Sequence, residues 1–186
     1  MSWKKTADWY ARSLADPAAA HAAWREHGVA VLPLGVRFEA VRIPDGLVHG
    51  AVESSEDRVV DLALALALEG HVIHDARGRN HYALVAPGTA LRWRSRGAVE
   101  CLGDGTHLGV PDPVRDRAAP GRCLYWAAAP GAGAYFCRVA AVRLLVRVGE
   151  ARLTGPGTAT WRTTPRARAH GRRTCGAPGA GCRPRS

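Results

Sequence analysis

Histidine and aspartate, which commonly bind metal ions and transfer protons, are concentrated in the middle of the chain. His71, His74 and Asp75 lie close together, and His81 follows shortly after them. Imidazole and carboxylate groups are standard ligands of divalent metals, so this group suggests a metal site. Residues 71–75 also resemble a strand, and on a strand His71 and His74 point to opposite faces. We therefore expect that these two histidines do not share a metal ion.

A second group of residues that could bind a ligand is a set of arginines in the polar loop 114–122. Arg115, Arg117 and Arg122 could bind a nucleic-acid backbone through its phosphates. The alternative is a solvated loop, because the chain as a whole is rich in arginine. A nearby glycine pattern, Gly103-x-Gly105 followed by Gly109, does not have the G-x-G-x-x-G spacing of a dinucleotide site and is interpreted as a hairpin turn.

Predicted helices lie at both ends of the region that carries these residues. The apolar spacing predicts one or two helices over residues 7–27, broken at Pro17 and ended by Gly28. A serine three residues before an acid, Ser54 to Asp57, resembles a capping box and predicts a helix that continues to Leu68. Because that helix is apolar nearly all round, we expect it to be buried. An amphipathic helix is predicted over residues 134–153.

Short apolar runs between these helices predict a β-rich layer. The strands are predicted over residues 29–34, 36–43, 71–75, 81–86, 99–102, 107–110 and 123–127. The first two are expected to be adjacent, and the third and fourth to form a hairpin, since the turn between them contains Gly and Asn. The mixed order of elements predicts an α+β fold class: a compact domain with N-terminal helices, a β-rich layer and a C-terminal amphipathic helix.

Charge divides the chain into two parts. The 186 residues carry a formal net charge of +10, but residues 1–150 hold 18 basic and all 16 acidic side chains, for a net charge of +2. Residues 151–186 hold the other eight basic residues and no acid. We predict a folded domain over residues 1–153 and a disordered Arg/Pro/Gly-rich tail over residues 154–186. The tail could associate with phosphate backbones, or it could be a GC-rich reading frame translated past the end of a domain.

Several functional classes lack support in the sequence. No apolar segment follows Lys4 and Lys5 as a secretory signal requires, so a cytoplasmic location is expected. The most apolar run, residues 59–68, is too short to span a membrane. The five cysteines include no C-x-x-C pair of the kind that binds zinc. Neither a phosphate-binding P-loop nor a G-x-S-x-G nucleophile motif is present.

Three segments, in this order, carry a resemblance to a known family. Residues 24–34 (WREHGVAVLPL) run from a helix through a Gly turn into an apolar strand. Residues 78–88 (GRNHYALVAPG) lead from a Gly turn into a His-aromatic strand. Residues 102–113 (LGDGTHLGVPDP) contain a Gly-Asp-Gly turn and are followed by residues 121–126 (GRCLYW). Together they resemble the N-terminal domain of the bifunctional DNA primase/polymerase family over residues 20–130.

The resemblance implies an RRM-like palm, two divalent metal ions held by carboxylates, and templated nucleotide addition. Family members carry an Asp-x-Asp or Asp-x-Glu pair on the strand between the first two segments, whereas the matching strand here offers Glu39 alone. The implied catalytic set is Glu39, Asp75 and His81, with Glu39 and Asp75 as ligands for Mg²⁺ or Mn²⁺. His81 matches the family histidine that would contact the phosphates of the incoming nucleotide, and its alternative is a structural histidine of the strand.

Two functional hypotheses follow from the resemblance. As an enzyme, the domain would be a metal-dependent nucleotidyltransferase that uses these three residues together with the arginines of the loop. As a non-catalytic module, it would keep the fold and bind nucleic acid or protein. Nucleic acid and nucleotides are the possible partners under the resemblance, and no membrane partner is expected. The family's Pro-Pro-Ser is Pro111-Asp112-Pro113 here, which replaces a hydroxyl with an acid at a place that would face phosphates. The oligomeric state is left open.

Overall fold

The computed structural model describes residues 3–94, 97–114, 123–128 and 135–154. The predicted tail and the three loop arginines, Arg115, Arg117 and Arg122, lie outside these residues. Within them the helices are α1 (Trp3–Ala11), α2 (Pro17–His27), α3 (Asp45–Val52), α4 (Asp57–Leu68) and α5 (Val139–Thr154). The strands are β1 (Val29–Pro33), β2 (Glu39–Pro44), β3 (Val72–Asp75), β4 (Asn80–Val85), β5 (Glu100–Leu102), β6 (His107–Pro111) and β7 (Leu124–Ala128).

The central layer is a five-stranded antiparallel sheet in the order β5-β2-β4-β3-β7. Strand β4 lies between β2 and β3, and the chain passes from β2 to β3 through α3 and α4. A strand inserted between two strands that a helical crossover connects is the split β-α-β arrangement of ferredoxin-like sheets. The predicted α+β class with a β-rich, palm-like layer is therefore confirmed.

Hydrophobic residues pack on both faces of this sheet. Because side chains alternate along a strand, Ala83 and Val85 of β4 face α3, α4 and α5, whereas Leu84 faces the other side. That second side is covered by α1, α2 and a separate two-stranded ribbon of β1 and β6. The sheet is thus enclosed between two layers.

Helix α2 begins and ends as the sequence predicts, whereas α1 begins at Trp3, before the predicted start at residue 7, and ends at Ala11. Asp16 caps α2 by accepting a hydrogen bond from the amide of Ala18, and Pro17 occupies the first turn, where a missing N–H costs nothing. Gly28 ends the helix in the left-handed conformation, with φ of 73°, and its amide donates to the carbonyl of Trp24. The predicted break at Pro17 and stop at Gly28 are confirmed.

The expected pairing of β1 with β2 is wrong. Strand β1 pairs with β6, and β2 pairs with β4 and β5. The chain turns between them at Gly35, whose φ is 87° and where a Cβ atom would lie 2.8 Å from the backbone of Asp104. This turn directs β1 into the ribbon and β2 into the sheet, which a pattern of apolar residues does not reveal.

Two helices also differ from the sequence prediction. Helix α3 was not predicted, since its two glycines, Gly46 and Gly50, are poor helix formers. Helix α4 is not enclosed: it buries Leu64 and its neighbours one turn away on either side, whereas Leu62 is 62% and Leu66 is 70% exposed. Apolar residues surround α4 on more sides than the one that contacts β7 and α3, so some of them are exposed. The C-terminal helix is confirmed, but it begins at Val139.

A buried hydrogen bond ties α1 to the sheet. The hydroxyl of Tyr10 lies 2.6 Å from Nδ1 of His71, and both residues are almost fully buried. Burial lowers the pKa of His71 from 6.5 to about 4. His71 is therefore neutral in the native protein at pH values where it is already protonated in the unfolded chain.

This difference predicts that stability falls in mild acid. Between the two pKa values the unfolded state binds more protons, so the free energy of unfolding is undiminished above pH 6.5 and declines as the pH falls toward 4. By about pH 5 the loss from His71 is on the order of 2 kcal/mol. Urea unfolding of His71→Gln should therefore depend less on pH than that of the wild type, whereas the exposed control His107→Gln should not differ from it. Equal pH dependence in all three proteins would contradict this prediction.

Candidate functional site

Glu39, the predicted catalytic carboxylate, stabilises a turn. It is the first residue of β2 and is 4% exposed. Its Oε1 accepts a hydrogen bond from the amide of Gly88 at 2.9 Å, and its Oε2 accepts one from the amide of Ala90 at 2.6 Å. Ala90 begins a short 3-10 turn, Ala90–Arg92, whose first amides have no partner within the turn itself. Both carboxylate oxygens are thus bonded to the backbone.

The carboxylate of Asp75 also accepts hydrogen bonds from backbone amides. Asp75 ends β3, and its Oδ1 accepts hydrogen bonds from the amides of Arg77 at 3.1 Å and Gly78 at 2.8 Å. This is the Asx pattern by which aspartate stabilises tight turns. The carboxylate therefore organises the β3–β4 hairpin that the sequence predicts and the structure confirms.

The structure does not bring Glu39 and Asp75 together. Glu39 pairs with Val85 of β4, and Asp75 pairs with Asn80, five positions away on the same strand. At a rise of about 3.4 Å per residue, the two carboxylates are separated by roughly 17 Å along the sheet. Two metal ions about 4 Å apart need converging carboxylates, so these residues do not fit the Mg²⁺ or Mn²⁺ pair that the resemblance implies.

His81, the third predicted residue, belongs to a different cluster. It pairs in register with His74 across the β3–β4 hairpin, and both side chains lie on the face covered by α3. The two rings stack with centroids 4.0 Å apart and planes 5° apart. Asp45, the first residue of α3, completes the group, which we call the Asp45–His74–His81 trio.

Distances within the trio are short. Oδ1 of Asp45 lies 3.0 Å from Nδ1 of His81 and 3.4 Å from Nε2 of His74, and the same Nε2 forms a hydrogen bond with Oδ2 of Asp45 at 3.4 Å. All three residues are buried, and His81 is only 1% exposed. The contact between Asp45 and His81 has ion-pair distance without hydrogen-bond alignment, so Oδ1 of Asp45 and both ring nitrogens of His81 have no hydrogen-bond partner. Buried polar atoms without a hydrogen-bond partner are costly, so this cluster requires an explanation.

A hydrogen-bonded chain extends from the trio toward α4. Nδ1 of His74 lies 2.9 Å from the hydroxyl of Tyr125, on β7. That hydroxyl also interacts with the carboxyl group of Asp61, on α4. The side chains of β3, β7 and α4 are therefore linked into one polar network beneath the helices.

Burial and charge determine which groups of the network are ionised. Burial alone would raise the pKa of Asp45, but its close contacts with His74 and His81 outweigh that effect and hold the pKa well below its usual range. Burial lowers the pKa of His81, although Asp45 opposes the shift. Burial raises the pKa of Asp61 to about 6, and the charge of Asp57 adds to the increase. At neutral pH Asp45 is a carboxylate beside a neutral His81.

The separation of His71 from His74 agrees with the sequence analysis. His71 bonds to Tyr10 on one side of the sheet, and His74 faces Asp45 on the other. The sequence analysis considered this pair and missed the pairing of His74 with His81 across the hairpin. Pairing the two predicted strands residue by residue outward from the turn would have placed His74 and His81 near each other. No comparable signal marked Asp45, because α3 was not predicted.

A groove lies on the other side of the molecule, where the resembling segments meet. Nε1 of Trp24 donates to the carbonyl of Val110 at 2.9 Å, and the amide of Asp112 donates to the carbonyl of Gly28. Nε1 of Trp126 donates to the carbonyl of Pro111. Beside these contacts is a groove of about 480 Å³, lined by Trp24, Arg25, Glu26, His27, Gly28, Val29, Cys123 and Leu124.

Comparison with known proteins gives no match for this chain: no family model, no curated protein and no solved structure is similar to it at a significant level. Among the described helices, none combines the length and apolar character needed to cross a membrane.

Proposed function

We propose that this chain is a divergent domain of the primase/polymerase type that binds nucleic acid or nucleotides and does not carry out two-metal nucleotidyl transfer. The observation that carries the non-catalytic half of the proposal is the position of Glu39. Both of its carboxylate oxygens accept hydrogen bonds from backbone amides, at 2.9 Å and 2.6 Å. These bonds hold the carboxylate against the turn, about 17 Å along the sheet from Asp75, so the two predicted ligands do not converge on a pair of metal ions.

The contacts between the resembling segments support the family assignment. Trp24 and Gly28 belong to the first segment, and they bond directly to Val110 and Asp112 of the third. Trp126, from the Gly-x-x-Tyr-x-Trp strand, bonds to Pro111. Residues of the first and third segments, which are distant in sequence, are thus bonded to each other, and Trp126 of β7 connects them to the sheet.

The chemistry around the groove favours a phosphate-bearing ligand. Arg25 and His27 contribute exposed basic side chains to its wall, and Glu26, whose carboxylate lies 3.8 Å from Nε2 of His27, offsets part of that charge. Phosphate contacts from arginine position a nucleic-acid backbone without reading its sequence. The groove is therefore the surface that we assign to nucleic-acid or nucleotide binding.

The first test is primer extension by the full chain with Mg²⁺ or Mn²⁺ and labelled nucleotides. We expect no extension product, because Glu39 and Asp75 lie at opposite ends of their strands and His81 is buried under α3. The matched control is Glu39→Gln, which retains one carbonyl oxygen as a hydrogen-bond acceptor. Extension by the wild type that disappears in Glu39→Gln would overturn the non-catalytic assignment and restore the nucleotidyltransferase hypothesis.

The second test is binding of a labelled single-stranded DNA, measured by fluorescence anisotropy over a range of salt concentrations. Arg25→Glu should weaken binding about 10-fold and make the salt slope shallower by about one unit, as expected for the loss of a phosphate contact. Arg147→Glu makes the same charge change on exposed α5, away from the groove, and should alter affinity by no more than about twofold. Equal effects of the two substitutions would show that total charge, and not the groove, determines binding.

A third variant distinguishes the contribution of the basic tail to DNA binding from that of the groove. Replacing the arginines from Arg162 to Arg185 by glutamine removes tail charge and leaves Arg25 in place. If the groove binds DNA, the tail variant still responds to Arg25→Glu. If it no longer binds DNA at all, the tail is the binding element and the groove assignment fails.

A further inference from the structure

The Asp45–His74–His81 trio has the composition and spacing of a metal site that the resemblance does not imply. One potential ligand atom from each residue lies within 4.8 Å of the others. A tetrahedral ion with ligand bonds of about 2.0–2.1 Å separates its ligand atoms by roughly 3.3 Å. The two contacts of Asp45 Oδ1 with the histidine nitrogens, at 3.0 Å and 3.4 Å, are close to that separation.

The unpaired atoms of the trio point to a missing partner. Oδ1 of Asp45 and both ring nitrogens of His81 are buried without a hydrogen bond. His81 is 1% exposed, so bulk solvent does not reach its ring nitrogens. A cation bound between them would accept the lone pairs of the carboxylate and the neutral imidazoles, and it would remove the cost of burying them unpaired.

Groups around the trio would orient the ligands of such an ion and balance its charge. The hydroxyl of Tyr125 holds Nδ1 of His74, which leaves Nε2 directed at Asp45. Metal-bound histidines commonly have their second nitrogen fixed in this way. Asp61, beyond Tyr125, brings a second carboxylate near the network, so Asp45 and Asp61 together match the charge of a divalent ion.

We propose that the Asp45–His74–His81 trio binds one divalent transition-metal ion of the zinc type, which fastens the start of α3 to the β3–β4 hairpin. Two imidazoles favour such an ion over Mg²⁺ or Ca²⁺, which prefer oxygen ligands. Three protein ligands leave a fourth coordination position for a water molecule, and the small exposed area of the three residues gives a substrate little access to that position. The proposal does not depend on nucleic-acid binding, and either can fail without the other.

The test begins with the full chain stripped of metal by a chelator and titrated with Zn²⁺ in a calorimeter. We expect binding of one equivalent with micromolar or tighter affinity and a higher melting temperature in the presence of Zn²⁺, with no such effect of Mg²⁺. Asp45→Asn and His74→Gln keep the size of the side chains and should each weaken Zn²⁺ binding by at least about 100-fold. Tyr125→Phe should weaken it about 10-fold, as is usual for a residue that holds a ligand in place.

His71→Gln is the matched control, because it removes a buried histidine of the same hairpin region that faces the other side of the sheet. Its Zn²⁺ affinity should equal that of the wild type. If the trio variants do not fold, X-ray absorption of the Zn²⁺-loaded wild type still decides the matter, with two imidazoles and no sulfur expected around the ion. Absence of Zn²⁺ binding, unchanged affinity in Asp45→Asn, or sulfur in the coordination shell would overturn the proposal.

Discussion

Replacing Glu39 by alanine is expected to lower the free energy of unfolding by about 2–5 kcal/mol. The substitution leaves the amides of Gly88 and Ala90 without their acceptors. Gly88 and Ala90 are half-buried, and a donor that loses its partner costs about 1–3 kcal/mol when it is fully buried and less when water can reach it. For a protein of this size, every kcal/mol corresponds to a change of about 2–4 °C in melting temperature, so a decrease of roughly 5–15 °C should be measurable by circular dichroism.

Glu100→Ala, on the neighbouring strand β5, is the control for this experiment. Glu100 forms a surface ion pair with Arg42 at 3.1 Å and is half exposed. Exposed pairs contribute about 1 kcal/mol or less, so the control should change the melting temperature little. If Glu39→Ala were instead as stable as the wild type, or more stable, Glu39 would behave like a strained active-site group, and the assignment to the turn would be wrong.

Gly149→Ala is expected to destabilise the domain by about 2–3 kcal/mol through the contact between α3 and α5. A Cβ atom at position 149 would lie 2.3 Å from the carbonyl oxygen of Leu47, and the neighbouring atoms are also backbone. Gly50 lies at the same contact, with its Cβ position 3.4 Å from the carbonyl of Gly149. The helices must separate to admit the methyl group, and overpacking of this kind costs about 1–3 kcal/mol or more. The gain in helix propensity, about 1 kcal/mol, does not offset a displaced helix.

Gly46→Ala, also on α3, is the matched control for this second substitution. Nothing lies within 4 Å of a Cβ at that position. The same change should therefore stabilise the protein by about 0.5–1 kcal/mol, because alanine reduces the conformational freedom of the unfolded chain and favours the helix. Urea unfolding of both variants measures the change in the free energy of unfolding, which should be a decrease for Gly149→Ala and an increase for Gly46→Ala. Destabilisation of equal size by both would show that glycine is needed in α3 and α5 for a reason other than close packing.

Local signals in the sequence were sufficient for the elements that depend on neighbouring residues. Pro17 and Gly28 mark the ends of α2 because their effects on the backbone act within a few residues. The β3–β4 hairpin was predictable from its turn for the same reason. The pairing of β1 with β6 was not, since it depends on the close approach of Gly35 to Asp104, and these residues are far apart in sequence.

The candidate site was less accessible to sequence reasoning. A carboxylate on a predicted strand resembles a catalytic acid, and only the positions of Gly88 and Ala90 reveal that Glu39 caps a turn. Asp45 carries no motif, and its role appears once α3 is placed over the hairpin. His81 was identified from the resemblance, but its neighbours in the structure are His74 and Asp45, and they give it a different chemistry from the one expected.

The split arrangement of the sheet also implies an order of folding. The β3–β4 hairpin closes across residues 76–79, and such short hairpins form within about 1–10 μs. Strand β2 joins β4 only after the chain has closed a loop that contains α3 and α4, and β1 must find β6 over a still longer separation. We therefore expect the two histidines to meet early in folding and the carboxylate of Asp45 to reach them only when the slower closure is complete.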